Sequence, residues 1–142
     1  MPTCHDVAAF ILRESGGMTT MKLQKLVYYC QAWSLVWDEE PLFDERIEAW
    51  ANGPVVPDLY YQHRGAFKIA SLPLGDPSRL NETQKETVKA VLDFYGKRSS
   101  QWLSDLAHSE PPWAEAREGL GPGERGSNVI TQAAMAEYYS SL

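Results

Sequence analysis

Few residues in this chain have the capacity for chemistry, and their spacing limits what they can do. The two cysteines, Cys4 and Cys30, and the three histidines, His5, His63 and His108, never form the closely spaced pairs of a four-ligand structural zinc. The expectation is no metal and no cofactor, with both cysteines as reduced thiols buried as small apolar groups. Asp38-Glu39-Glu40 supplies carboxylates for acid–base work, but three in a row beside Pro41 are solvated and repel one another. His108, near a helix end, and Glu110 two residues on offer one His–carboxylate pair for a small hydrolase or transferase. The competing reading has His108 tying that helix end to the Pro111-Pro112 turn by hydrogen bonding. No G-x-S-x-G nucleophile elbow occurs. The glycine-rich residues 119–126 lack a lysine and have Glu118 and Glu124 as neighbours, so they repel phosphate rather than cradle it. No residue is assigned a catalytic role.

Aromatic side chains are in surplus, with five Trp, seven Tyr and four Phe in 142 residues. A chain of this length makes one domain, which cannot bury every ring. Trp and Tyr anchor protein interfaces because they bring large rigid area and one polar handle. Core packing is expected to take Trp33 and Trp37. The pairs Tyr60-Tyr61 and Tyr138-Tyr139 set adjacent rings about 100° apart on a helix, so one of each pair faces outward. The candidate partner-binding residues are Trp50, Tyr60, Tyr61 and Trp113. Thirteen basic residues are scattered among nineteen acidic ones, for a net charge of −6. Without a basic stripe, direct nucleic-acid binding is disfavoured, while a basic protein partner fits. Apolar runs break before any spans a bilayer, and no basic segment followed by an apolar one opens the chain, so a cytoplasmic location is expected. No heptad seam or symmetric interface is readable to set self-association.

The elements that would position these groups read as helix after helix. Thr3 and Asp6 form a capping box for a first helix that Gly16-Gly17 ends. Thr19 or Thr20 caps a second, longer helix running to about Trp37. Leu23, Leu26, Val27, Cys30, Trp33 and Trp37 share one arc of it, and Tyr28, Ala32, Leu35 and Val36 make the other side apolar too. A helix greasy on both sides is the centre of the domain. Residues 42–50 alternate Phe43, Glu45, Ile47 and Ala49 against Asp44, Arg46 and Glu48, which reads as a short extended segment. Gly53 makes a turn, and Pro54 starts a helix carrying Val55, Leu59 and Tyr60. Residues 65–80 are a surface loop. Asn81 with Gln84 caps a helix to about Lys97, and Ser99 or Ser100 starts a shorter one with Trp102, Leu103 and Leu106 inward. Residues 119–127 are expected to be mobile, and Thr131 caps a final helix with Met135, Tyr138, Tyr139 and Leu142 together. The expected fold is mostly α: a single compact helical domain over 1–142 with a central buried helix, a C-terminal helix at about 131–141, and room for one short extended segment or small hairpin.

The order of segments resembles a known family. Leu23-Gln24-Lys25-Leu26-Val27-Tyr28-Tyr29, then Leu42-Phe43, then Ala49-Trp50-Ala51-Asn52-Gly53-Pro54-Val55, then Leu103-Ser104 with His108 and Pro112-Trp113, is similar to the Panacea, or SocA-like, antitoxin domain over about residues 5–118. The chain departs from that pattern at Ala107, where a threonine is expected. The resemblance implies a helical domain that works by binding: an antitoxin of a toxin–antitoxin system, often prophage-associated, that neutralises a cognate protein toxin encoded by an adjacent gene. An alternative role is an adaptor or scaffold that delivers the toxin to an ATP-dependent protease. It implies no catalytic residues and no cofactor. Leu23, Gln24, Lys25, Leu26, Tyr28, Tyr29, Ala49, Trp50, Gly53, Pro54, Val55, His108, Pro112 and Trp113 are read on this basis as scaffold.

Overall fold

Capping chemistry sets the first boundaries. In this computed structural model, which describes residues 1–142, Thr3 and Asp6 make a reciprocal capping box at the start of α1 (Cys4–Ser15), and Gly16 at φ 81° ends it. A two-residue strand, β1 (Met18–Thr19), leads into α2 (Thr20–Trp37), whose first turn is capped by the Thr19 hydroxyl. Every residue from Leu23 to Ala32 is buried, so α2 is enclosed on all sides as its two apolar faces predict. Its buried polar side chains are used to hold the chain that follows. The Gln31 carboxamide accepts from the backbone of Leu42 and Phe43 and donates back to the Phe43 carbonyl, and the Ser34 hydroxyl donates to the Glu40 carbonyl.

After that turn comes an antiparallel hairpin, β2 (Glu48–Trp50) paired with β3 (Gly53–Val55), in the register Glu48 opposite Val55, Ala49 opposite Pro54 and Trp50 opposite Gly53. Only this end of residues 42–50 is strand. The alternation also fails at Glu48, which is buried because it takes hydrogen bonds from Arg46 (2.6 Å) and from the Trp50 indole (2.8 Å). Pro54 does not start a helix. It lies inside β3, and the helix-opening proline is Pro57, the first residue of α3 (Pro57–His63). The reason lies on α2, where the Gln24 carboxamide accepts from the Val56 N–H (2.9 Å) and donates to the Val56 carbonyl (3.3 Å), holding the chain extended through Val56.

Residues 65–80 carry β4 (Lys68–Ile69), antiparallel to β1, and one short 3-10 turn at Pro77–Arg79. Asn81 and Gln84 form the expected capping box for α4 (Glu82–Tyr95), Ser99 caps α5 (Ser100–Ser109), α6 (Pro111–Ala116) follows, and Thr131 caps α7 (Gln132–Ser140). Helices α1, α4, α5 and α7, together with β3, all pack against α2. The architecture is mostly α around one central helix. No helix is long and apolar enough to cross a membrane.

Three rings or side chains expected inside lie outside. Trp37 is 49% exposed, because it sits on the last turn of α2 beyond the helices that cover the middle, and stacks on Trp33 at 5.0 Å. Trp102 is 36% exposed under the Arg98 guanidinium, and Leu142 lies past the end of α7 in solvent. Burial pushes the Cys4 and Cys30 thiols up, so both are protonated at neutral pH.

Candidate functional site

The residues singled out by the sequence converge on the β2–β3 hairpin, which is held from four directions. From α2, Lys25 reaches under Gly53. That glycine has φ 123°, and a Cβ built on it would meet Lys25 Cε at 2.5 Å and Nζ at 3.0 Å. The lysine of the L-Q-K-L run and the glycine of the W-x-x-G-P run are therefore one packing unit, each requiring the other's shape. From α5, His108 places Nε2 3.0 Å from the Ala51 carbonyl and Nδ1 2.5 Å from the Ser104 carbonyl. His108 thus ties its helix to the hairpin turn, not to the Pro111-Pro112 turn. From α6, the Trp113 indole donates to the Trp50 carbonyl (2.8 Å), with its ring 4.2 Å from that of His108.

The fourth hold comes from Arg117, which no motif had marked. Its buried guanidinium lies over the Trp113 ring and donates to the carbonyls of Ala49 (3.1 Å), Gly121 (3.2 Å) and Glu124. It fastens residues 119–127, which carry neither helix nor strand, against the hairpin. Backbone bonds from Ala49 N to Asn128 O and from Ile130 N to Ile47 O, both 2.8 Å, then lay residues 128–130 along the other edge of β2.

On the outer side the aromatic candidates separate into two groups. The Trp50 ring meets Tyr60 edge-on at 5.0 Å, and Tyr60 meets Tyr61 at 5.9 Å, giving a continuous row that ends on a Tyr61 61% exposed. The row borders a cleft of about 580 Å³ lined by Glu48, Trp50, Asn52, Tyr61, Arg125 and Ser127. The cleft wall thus combines aromatic area with a carboxylate, a guanidinium and two small polar groups. Trp113 is apart from this row: its ring packs on His108 and its indole N–H donates to the hairpin backbone.

The His108–Glu110 pair does not form. Glu110 turns inward, where one oxygen, Oε1, accepts from the Tyr29 hydroxyl (2.7 Å) and the Tyr139 hydroxyl (2.8 Å). The Tyr139 O–H is committed to Glu110, so its oxygen accepts from the Tyr28 hydroxyl at 3.0 Å. Burial pushes the Glu110 carboxyl above its ordinary range, and the two tyrosine bonds offset this only in part. The sequence does carry a signal for this network: three tyrosines on apolar helix faces must each find a partner for a hydroxyl.

The Gly53–Lys25 contact gives a direct expectation. Gly53→Ala places a Cβ into Lys25 at a backbone angle that L-residues rarely adopt, and costs roughly 2 kcal/mol of stability. Urea denaturation reads this, and a smaller loss in a Lys25→Ala background isolates the clash from the backbone strain.

A family model described as antitoxin SocA-like, Panacea domain, matches residues 23–114, from the start of the buried run of α2 into α6. No curated protein and no solved structure matches the chain.

Proposed function

The chain belongs to the SocA-like Panacea antitoxin family, and from that premise we propose that it is an antitoxin that neutralises a cognate protein toxin, encoded by an adjacent gene, by binding it directly. The observation that carries the reading beyond the family is the aromatic row Trp50–Tyr60–Tyr61, which opens to solvent at Tyr61 beside the hairpin cleft. Lys25, His108, Trp113 and Arg117 hold the hairpin in place without a partner, which lowers the ordering cost of binding. A net charge of −6 speeds encounter with a basic toxin. The reading needs no catalytic residue, and both members of the His108–Glu110 pair are occupied by structural hydrogen bonds.

Co-expression with the product of the adjacent gene tests the proposal, with growth and co-purification read together. Rescue with a stable complex supports direct neutralisation. Rescue accompanied by disappearance of the toxin makes the protein a protease adaptor instead, and absence of both rescue and complex overturns the reading. Within a complex, Tyr61→Ala is expected to weaken affinity at least about tenfold with an unchanged melting temperature, since the ring is exposed and its loss leaves the core intact. Unchanged affinity moves the contact surface elsewhere.

A further inference from the structure

We propose that Cys4, His5 and Glu45 form a binding site for one divalent transition-metal ion of the zinc type. The Cys4 sulfur, a ring nitrogen of His5 and a carboxylate oxygen of Glu45 lie within 4.8 Å of one another. Cys4 and His5 open α1, and Glu45 reaches them from the segment between α2 and β2. The carboxylate is aimed by the site itself, because Glu45 Oε1 accepts the backbone N–H of Cys4 at 3.0 Å, which leaves its second oxygen for an ion.

An independent observation points the same way. His5 Nδ1 is fully buried and has no hydrogen-bond partner, although buried polar atoms almost always have one. Thiolate, imidazole and carboxylate together suit zinc and cobalt rather than calcium or magnesium, which prefer oxygen alone. Bonds of about 2.0–2.3 Å set tetrahedral ligand atoms about 3.3–3.8 Å apart, so side-chain shifts of about 1 Å close the set around an ion, with solvent as fourth ligand. Binding forms a sulfur–metal bond and releases the thiol proton to solvent. One thiolate and one carboxylate then balance the two positive charges, so the filled site is neutral where it is buried. Pairs of cysteines and histidines at short spacing do not reveal this site, because its third ligand lies 41 residues from the first.

The test uses the full chain, stripped with a chelator and titrated with Zn²⁺ and Co²⁺. The expected result is one ion per chain, a zinc-dependent rise in melting temperature, and a thiolate-to-cobalt charge-transfer band with Co²⁺. Cys4→Ala, His5→Gln and Glu45→Gln each reduce affinity by at least about tenfold, and Cys30→Ala leaves it unchanged. Should Cys4→Ala fail to fold, His5→Gln and Glu45→Gln carry the comparison, since both residues are only partly buried. Absence of a zinc-dependent shift in the wild type, or an equal shift in all variants, overturns the proposal.

Discussion

Lys25→Met is expected to raise the stability of the fold at pH 7 by about 3 kcal/mol. Lys25 is 1% exposed, its ammonium makes no hydrogen bond, and burial alone lowers its pKa from 10.5 to about 8. Below pH 8 the lysine is charged in both folded and unfolded chains, so the folded state bears the cost of a largely desolvated ammonium. As pH rises from about 8 to 10.5 the folded lysine gives up its proton while the unfolded one keeps it, and stability climbs by up to about 1.4 kcal/mol per pH unit. Methionine keeps the length of the stem under Gly53 and removes the charge. The measurement is urea denaturation of both proteins across this range, read as their difference. That difference cancels the buried tyrosines Tyr28, Tyr29 and Tyr139, whose hydroxyls burial holds protonated well above their ordinary range. A gap that stays constant with pH rules out this account of Lys25.

Glu110 gives the second large effect, and two replacements separate its causes. Glu110→Ala costs roughly 4 kcal/mol, since it leaves the buried hydroxyls of Tyr29 and Tyr139 without their acceptor and opens a cavity beside them. Glu110→Gln retains volume and an oxygen that accepts from both tyrosines, so its cost at acid pH is small. The pH dependence runs opposite to that of a paired surface carboxylate. Burial raises the folded pKa above 4.5, so the folded chain holds the proton longer than the unfolded chain does. Wild-type stability from this group is complete below about pH 4.5 and is lost as pH rises through the folded value, whereas glutamine has nothing to lose. Chemical denaturation between about pH 4 and pH 7 is expected to show Glu110→Gln gaining on the wild type as pH increases. If the two curves stay parallel, burial does not hold the proton on Glu110.

What the sequence made legible was local. The Thr3, Thr19, Asn81, Ser99 and Thr131 caps act within three residues, and the enclosed run of α2 shows in its own apolar pattern. Pro54 and Pro57 are equally plausible helix starts to a local reading, and the choice between them is made by Gln24, 32 residues from Val56. Trp37 and Trp102 lie on apolar faces, but periodicity does not tell how far along a helix its neighbours extend. Of the partner-surface candidates, Trp50, Tyr60 and Tyr61 come together because the hairpin and α3 are consecutive. Trp113 lies outside that row, with its indole on the Trp50 carbonyl. The role of Lys25 was unreadable in isolation, because it is defined by the missing side chain of Gly53.

The bond between Tyr28 and Tyr139 spans 111 residues and bears on how the protein is made. The central helix leaves the ribosome long before α7, which supplies its last cover and the second tyrosine on Glu110. Until α7 has emerged, Tyr28, Tyr29 and the carboxylate they serve have no finished interior to occupy, so closure of the core waits for that helix. A ribosome stalled before residue 131 holds a chain with every motif of the family match already translated and its core still open.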